Sequence, residues 1–223
     1  MHDVADRLAA VRERIRVAAA GDRRHVTVLA VTKGVSPELV AAARAAGVED
    51  FGENRAPELL GRRAAAPDAR WHFLGAVQRR KVRDLAPAVA CWQSVDRLAA
   101  GREISRHAPG AAVLVQVNVT GQPGRNGCSF DEAPAVVEGL RALGLVVRGL
   151  MAVGDPGDPR PGFRRLATAA SDMELPELSM GMSGDLDVAV QEGSTTVRVG
   201  QALFGPRPGP EDLRRYPHPE GGW

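Results

Sequence analysis

Lys33 is the side chain of this sequence best suited to covalent chemistry. It lies near the end of residues 26–34, VTVLAVTKG, an apolar and β-branched run in which it is the only ionisable group. Such a run predicts a strand that is buried on both faces. A lysine at the carboxyl end of this strand either extends its amine into solvent or holds it beside a low-dielectric cleft, where desolvation favours the neutral, nucleophilic form.

Two glycine-containing segments follow the last two predicted strands; each alone is ordinary loop sequence, and together they indicate anion binding. Residues 181–185 are Gly-Met-Ser-Gly-Asp, and residues 200–202 are Gly-Gln-Ala. The first segment places Ser183 at the start of a predicted helix, where free backbone N–H groups favour an anion, although a serine there can also be a plain N-cap. The second supplies Gly200, at which the backbone can approach a ligand closely.

Further polar or soft side chains lie at or near the ends of other predicted strands. Arg198 lies inside the last strand, where it needs a partner or a ligand if it points inward and a simple salt bridge if it points outward; the sequence leaves both open. Asn54, Asn118 and Met151 complete a ring at the same end as Lys33. Asn54 could instead cap a helix, and Asn118 could be a turn residue.

The elements that must position these residues follow a repeating strand–helix pattern. An amphipathic helix is predicted over residues 3–20, and Ser36–Pro37 marks the start of the helix after the first strand. Further helices are predicted over 53–66, through 77–85, from an Asp96 cap to 107, and over 131–143, 162–171 and 183–192. The eight predicted strands are 26–34, 48–51, 70–74, 88–94, 112–118, 145–153, 177–180 and 195–199.

Alternating β and α units imply a parallel sheet with right-handed crossovers, and eight of them close into a barrel. We therefore predict an α/β fold, a single (β/α)8 TIM barrel with an extra N-terminal helix, over residues 1–205. An open doubly wound sheet is the alternative, but the first βα turn lacks a GxGxxG fingerprint. Residues 206–223 form a Pro/Gly-rich tail, expected to be partly disordered apart from a possible helical turn over 211–215.

Composition narrows the function classes. The 223 residues carry 29 basic and 27 acidic side chains, a net charge of +2, so we expect no nucleic-acid or membrane partner. The charged N-terminus does not resemble a signal peptide, which predicts a cytoplasmic protein. Cys91 and Cys128 lack CxxC spacing and the five histidines are dispersed. These patterns predict two small buried thiols and neither a disulfide framework nor a metal site.

The motifs in this chain resemble those of a known family. AVTK, FGEN, WHFLG followed by VQRRK, SVD, QVN, RGLM, LSMGMSGD and VRVGQALFG occur in the order and spacing of the YggS/PROSC family of pyridoxal 5'-phosphate homeostasis proteins. The resemblance covers residues 1 to about 205. It implies a barrel similar to the N-terminal domain of alanine racemase and pyridoxal 5'-phosphate as the cofactor.

By this resemblance, the cofactor is held as an imine on Lys33, Ser183, Gly200 and Gln201 bind its phosphate, and Arg198 faces its pyridine nitrogen. Asn54 joins them as a candidate cofactor contact. Some positions depart from the family pattern. Gln201 stands where Thr or Ser is usual, Arg80 replaces Asn in the QxNK motif, and Arg125 replaces Lys before Gly127. The segment between the sixth and seventh strands is short, which puts the sixth crossover helix in doubt.

These expectations favour a carrier over an enzyme. An arginine beside the pyridine nitrogen weakens the cofactor as an electron sink, and the only tyrosine, Tyr216, lies in the tail. We expect a monomer, without catalytic residues, that buffers or delivers the cofactor, with apo pyridoxal-dependent enzymes as possible partners. A low-activity amino-acid racemase and a barrel that binds a sugar phosphate are the alternatives. The basic stretch Arg79 to Arg83 is either a solvated helix face or a second phosphate or partner site.

Overall fold

A computed structural model describes residues 3–206, in which eight parallel strands alternate with helices and close into a barrel. The strands are β1 Thr27–Val31, β2 Asp50–Glu53, β3 Arg70–Phe73, β4 Cys91–Val95, β5 Ala112–Gln116, β6 Val146–Met151, β7 Glu177–Ser179 and β8 Thr196–Val199. The helices are α1 Val4–Ala18, α2 Pro37–Ala45, α3 Ala56–Arg62, α4 Arg79–Leu85, α5 Leu98–His107, α6 Ala133–Ala142, α7 Arg160–Asp172, α8 Leu186–Gln191 and α9 Gln201–Phe204.

Closure of the barrel is made by the first and last strands. β1 pairs in parallel with β8, with Leu29 opposite Arg198 and Ala30 opposite Val199. The predicted eight-stranded barrel is therefore confirmed, and the doubly wound alternative is wrong. Because all strands run the same way, their carboxyl ends meet at one mouth, where barrels of this kind place their ligand sites.

The amphipathic helix predicted at the N-terminus is confirmed as α1. Asp3 caps it by accepting a hydrogen bond from the Val4 N–H, and its apolar positions Leu8, Val11 and Ile15 are buried. The helix packs on α8 and α9, the two helices that follow the last strands. It therefore supports the barrel next to the segments predicted to bind an anion.

Most of the hydrophobic core lies between the strands and the helices. Fully buried members with large side chains include Phe51, Trp71, Trp92, Phe163 and Leu59. Phe51 stacks on Trp71 with ring centroids 5.2 Å apart. The barrel lumen is different, because it combines a small apolar cluster (Cys91, Leu114, Met151) with several buried polar groups.

Asp50 is a buried acid at the β2 side of the lumen. Its carboxylate accepts hydrogen bonds from Arg70, at 2.8 and 2.7 Å, and lies 3.0 Å from His72 Nε2. Burial acts to raise the pKa of Asp50, but the bonds to His72 and Arg70 outweigh it and lower the pKa to about 2. The folded pKa is thus below the value of about 3.9 expected in the unfolded chain.

This shift predicts a pH-dependent stability. Since the folded pKa of Asp50 is the lower one, its stabilisation is present above pH 4 and is lost as the pH falls towards 2. We expect Asp50→Asn to lower the free energy of unfolding by about 2 kcal/mol at pH 7 and by progressively less below pH 4. Urea unfolding across this range measures it. Asp68→Asn, at an exposed ion pair with Arg44, is the control, and an equal loss in both variants would contradict the prediction.

Several element boundaries differ from the sequence-based predictions. The first strand ends at Val31 and not at residue 34, so Lys33 lies in a turn. The helix expected over 53–66 is shorter, because Glu53 belongs to β2 and a 3₁₀ turn, Arg63–Ala65, follows α3. Asp96 does not cap α5, whose N-cap is Arg97 without a side-chain bond.

In the C-terminal half of the chain, two further helices differ from the sequence-based predictions. The helix expected over 183–192 begins only at Leu186, which leaves Ser183 in a loop, and the short α9 was not predicted. The crossover helix between β6 and β7, held in doubt, is complete as the 13-residue α7. The predicted turn over 211–215 and almost all of the predicted tail lie outside the described residues.

Within residues 3–206, no helix is both long enough and apolar enough to cross a membrane. In the same range, no group of three or more His, Cys, Asp or Glu side chains could hold a metal ion.

Candidate functional site

Lys33 lies at the mouth of the barrel, in the turn that follows β1. Its side chain is exposed, whereas Thr32 before it and Val35 after it are buried. The interpretation in which burial of the strand end desolvates the amine is therefore wrong for this structure. The amine is accessible from the mouth, and the turn that carries it is fixed on both sides.

A buried ion pair fixes this turn. Glu53, at the end of β2, accepts hydrogen bonds from Thr32 Oγ1 at 2.8 Å and from Arg62 Nη1 at 2.6 Å. Arg62 Nε also donates to the Val35 carbonyl at 2.9 Å. One carboxylate and one guanidinium thus hold the residues on either side of Lys33. Burial raises the pKa of Glu53, and the charge of Arg62 with the hydroxyl of Thr32 opposes that rise.

The two predicted anion-binding segments lie side by side. Ser183 Oγ accepts a hydrogen bond from the Ala202 N–H at 3.1 Å, so the loop after β7 contacts the turn after β8. We call these two segments, 181–185 and 200–202, the anion cradle. Ser183 is not an N-cap for α8, because Asp185 holds that position.

The cradle presents backbone donors that no acceptor in the described part of the chain uses. No hydrogen bond within residues 3–206 involves the N–H groups of Ser183, Gly184, Gly200 or Gln201. Backbone N–H groups are obligatory donors, and water or a ligand must satisfy them at the mouth. Four such groups from two adjacent loops match the acceptor oxygens of a phosphate.

Glycine is required at one cradle position, and a second cradle glycine lies against β1. Gly181 has φ +91°, and a Cβ there would lie 2.4 Å from the Ala189 Cβ. Gly200 lies against β1, since a Cβ on it would be 3.4 Å from the Val31 carbonyl oxygen. The cradle is therefore next to the strand that carries the Lys33 turn, as an amine and a phosphate site for one small ligand require.

Helix α1 supports the cradle from outside. Arg14 Nη1 donates to the Ser183 carbonyl at 3.2 Å, and its Nη2 donates to Asp187 of α8 at 2.7 Å. Both Arg14 and Asp187 are partly exposed, so their ion pair adds little to the stability of the fold. Its main effect is to fix the loop that contains Ser183.

We expect Arg14→Ala to weaken the binding of a phosphate-bearing ligand by about three- to tenfold, because the loss of one charged hydrogen bond frees the Ser183 loop. The free energy of unfolding should change by less than about 1 kcal/mol. Ligand titration followed by absorbance measures the first effect. Arg16→Ala, at an exposed pair on the same helix, is the control; equal affinities in the two variants would contradict the prediction.

Arg198 is the most buried cation at the site. It points into the barrel, where Nη1 donates to the Ser179 carbonyl at 2.6 Å and Nη2 to the Ala152 carbonyl at 2.7 Å. Burial lowers the pKa of Arg198 to about 10, so it is charged at neutral pH. None of its hydrogen bonds within residues 3–206 is to a carboxylate. The charge of Asp185 acts on it only from a distance, and a buried cation without a bonded carboxylate favours an anionic or electron-rich ligand nearby.

The remaining predicted residues divide into two groups. Asn54 and Gln201 are exposed at the mouth, and no hydrogen bond within the described range involves either side-chain amide. Asn54 does not cap α3, whose N-cap is Arg55. By contrast, Asn118 accepts from both the N–H and the hydroxyl of Thr120, as a turn residue does.

Met151 lies in the lumen with Cys91, away from solvent. Cys91 and Cys128 are buried and unpaired with each other, as predicted. Burial raises the pKa of Cys91 to about 12 and that of Cys128 to about 11. Both are therefore neutral thiols at pH 7 and poor nucleophiles.

Sequence reasoning missed the residues that act through others. Arg14, Glu53 and Arg62 position the mouth, and Ser179 contacts Arg198. A partial signal existed for Glu53, an acid inside the FGEN motif directly after an apolar strand. Arg14 looks like any other charged position of an amphipathic helix.

Comparisons with known proteins show the family of this chain. The family model for the N-terminal domain of alanine racemase matches residues 7–208. A "Pyridoxal phosphate homeostasis protein" of Pseudomonas aeruginosa is 41% identical, over 93% of this chain and 97% of the relative. The protein of the same name from Escherichia coli K12 is 32% identical, over 93% and 98% of the two chains.

Solved structures give the same result. PipY of Synechococcus elongatus, with PLP bound, superposes with a TM-score of 0.79 at 32% identity, over 91% of this chain and 100% of PipY. Alanine racemase of Corynebacterium glutamicum, at 17% identity and a TM-score of 0.71, shares the fold, and the match covers 62% of that enzyme. The chain belongs to the family of pyridoxal phosphate homeostasis proteins, built on the fold of the alanine racemase N-terminal domain.

Proposed function

We propose that this protein binds pyridoxal 5'-phosphate reversibly at the barrel mouth and buffers or delivers it, without turning over a substrate. The observation that carries this proposal is the group of four unused backbone N–H donors in the anion cradle, next to the strand that leads to Lys33. The name of the relatives and the PLP-bound PipY structure support the same ligand.

The residues present fit the cofactor. Its phosphate is a dianion near neutral pH, and the N–H groups of Ser183, Gly184, Gly200 and Gln201 supply donors for its oxygens. Gln201 would contribute its backbone N–H. Its side-chain amide would take the place of the hydroxyl of the Thr or Ser that is usual at this position in the family. The buried charge of Arg198 lies beneath, with donors left to meet the acceptor nitrogen of the ring.

Lys33 supplies the covalent link. In its neutral form the amine would hold the cofactor covalently, because it is a nucleophile that can replace the aldehyde oxygen of the cofactor, which would leave as water. The pair Glu53–Arg62 keeps the turn in place, so the amine is preorganised although it is exposed. Asn54, on the next strand, is proposed as a further contact because its amide is free.

The position of Arg198 also favours a cofactor-binding protein over an enzyme. The cofactor acts as an electron sink when bound, most strongly when its ring nitrogen is protonated. A guanidinium donating to that nitrogen leaves it unprotonated. Racemisation would further need an acid or base on each face of the substrate carbon. Lys33 provides one such group, and the only tyrosine, Tyr216, lies outside the described residues.

Low racemase activity is the second candidate function, because the fold is shared with alanine racemase. Incubation of the loaded protein with L-amino acids, followed by chiral analysis, separates the two. We expect no sustained conversion. Turnover at a catalytic rate would reverse the ranking.

The binding proposal is tested by titrating the protein with pyridoxal 5'-phosphate and, separately, with pyridoxal, which lacks the phosphate. We expect an absorbance band near the visible edge with the phosphorylated form and an affinity at least about a hundredfold higher than for pyridoxal. Equal affinities would contradict the role of the cradle. A colourless mixture would favour a barrel that binds a sugar phosphate without an imine.

Three sequence-based expectations stay predictions at this point: delivery to apo-enzymes by contact, a monomeric state, and a cytoplasmic location. None of the three affects the cradle itself, so inorganic phosphate or a sugar phosphate should compete with the cofactor for it.

A further inference from the structure

A continuous series of hydrogen bonds crosses the barrel lumen below Arg198. Arg198 Nη1 donates to Ser179 Oγ at 2.9 Å, and Ser179 Oγ donates to Gln93 Oε1 at 2.7 Å. Gln93 Nε2 lies 2.8 Å from His72 Nδ1, and His72 Nε2 lies 3.0 Å from Asp50 Oδ1. We call Arg198, Ser179, Gln93, His72 and Asp50 the lumen chain. It links strands β8, β7, β4, β3 and β2.

The lumen chain has one direction. Arg198 can only donate, so Ser179 Oγ accepts from it and gives its own hydrogen to Gln93. The oxygen of Gln93 is then the acceptor and its amide nitrogen the donor, which makes Nδ1 of His72 an acceptor. On its other side, His72 directs Nε2 at the Asp50 carboxylate, which can only accept.

This arrangement fixes which donors of Arg198 stay free. Nη1 gives both hydrogens to Ser179, one to the carbonyl and one to the hydroxyl, and Nη2 gives one to the Ala152 carbonyl. A guanidinium has five N–H groups, so only Nε–H and one Nη2–H remain for a ligand. The plane of the guanidinium and the direction of these two groups are set by Ser179.

We infer that Ser179 and Gln93 are positioning residues, which orient Arg198 towards the bound cofactor through the lumen chain. The inference rests on the proposed function and adds to it a role for two buried residues that never touch the ligand. Ser179 aims the guanidinium. Gln93 keeps the Ser179 hydroxyl pointing away from Arg198, so that this oxygen remains an acceptor.

A purely structural role for Gln93 makes the opposite prediction. If Gln93 only fills space, methionine is a tolerated replacement of similar volume, and glutamate is harmful because it buries a charge. If Gln93 acts through its oxygen, glutamate keeps the acceptor for the Ser179 hydroxyl, whereas methionine removes that acceptor. The two roles thus differ in which variant keeps cofactor affinity.

The experiment is titration of pyridoxal 5'-phosphate into Ser179→Ala, Gln93→Met and Gln93→Glu, with urea unfolding of each. We expect about fivefold weaker binding for Ser179→Ala and Gln93→Met, with a shifted absorbance maximum of the bound cofactor. Gln93→Glu should bind within about twofold of the original protein. Cys91→Ala, on the same strand and facing the same lumen but outside the chain, is the control and should bind normally.

The inference would be overturned if Ser179→Ala and Gln93→Met both bound the cofactor with the affinity and absorbance maximum of the unsubstituted protein. It would also be overturned if Gln93→Glu bound the cofactor as weakly as Gln93→Met. If a Gln93 variant does not fold, Ser179→Ala decides alone, because removal of one hydroxyl leaves the packing nearly unchanged. Failure of the proposed function looks different: neither the original protein nor Cys91→Ala would bind the cofactor, which would overturn both proposals.

Discussion

Lys33→Ala should lose covalent attachment of pyridoxal 5'-phosphate completely, together with the absorbance band near the visible edge. The reason is the scarcity of amines: the sequence contains two lysines, Lys33 and Lys81. Lys81 lies exposed on α4, on the crossover after β3, and not on the strand beside the cradle. With the imine lost, only the cradle and Arg198 hold the cofactor, and affinity should fall at least about a hundredfold.

Lys81→Ala is the matched control, since it removes the other exposed lysine and should leave the band and the affinity unchanged. The cradle should remain intact in both variants, so inorganic phosphate should still compete with what cofactor binds. Persistence of the band in Lys33→Ala, or its loss in Lys81→Ala, would contradict the assignment of the amine.

Arg62→Met should have the largest effect on stability. The substitution leaves Glu53 fully buried without its cation and also takes this partner from Glu58, and removal of one partner from a buried ion pair typically costs about 3–5 kcal/mol. It also frees the Val35 carbonyl and loosens the turn that holds Lys33, so cofactor affinity should fall with stability. Urea unfolding without ligand and cofactor titration measure the two effects.

The pH dependence of this loss has a definite sign. Without Arg62, desolvation raises the pKa of Glu53 further, so the folded form binds a proton more readily than the unfolded form. The destabilisation is then largest at high pH, and it shrinks as the pH falls towards the unfolded pKa of about 4.3.

Two comparisons check the Arg62 prediction. Glu53→Gln in the Arg62→Met background should recover part of the stability at pH 7, because one of the two buried carboxylates that lost Arg62 is then neutral. Arg44→Met, at an exposed ion pair with Asp68, should cost less than about 1 kcal/mol. A loss in Arg62→Met as small as that in Arg44→Met, or one that does not depend on pH, would show that the pair does not hold the turn.

The fold could be predicted because local patterns and the global architecture agree. Eight apolar runs separated by amphipathic segments have one common solution, and β1 pairs with β8 as a closed barrel requires. The predicted ends of strands and helices were less accurate where the adjoining loop has residue types that are common in strands or helices. Thr32 and Lys33 continue an apolar run but lead into a turn, because Gly34 takes a φ of 72° and the Val35 N–H donates back to the Thr32 carbonyl at 2.9 Å.

The candidate site was predictable only in part, because local sequence shows which residue types are present but not which distant partners orient them. Lys33, Ser183 and Gly200 come from segments whose types and spacing suggest chemistry, and the structure brings these segments to one mouth. Side-chain direction inside a strand depends on partners far away in the sequence. Arg198 points inward because Ser179 and Ala152 provide acceptors there. Gln93 and His72 have no sequence signal, since only the closed barrel brings them together.

Borohydride reduction of the protein loaded with pyridoxal 5'-phosphate, followed by peptide mass spectrometry, tests the central claim most directly. Reduction makes an imine permanent, and the candidate amines are Lys33, Lys81 and the N-terminus. We predict one stoichiometric cofactor adduct on the peptide that contains Lys33. An unmodified Lys33 peptide, or a cofactor mass found chiefly on Lys81 or the N-terminus, would contradict it.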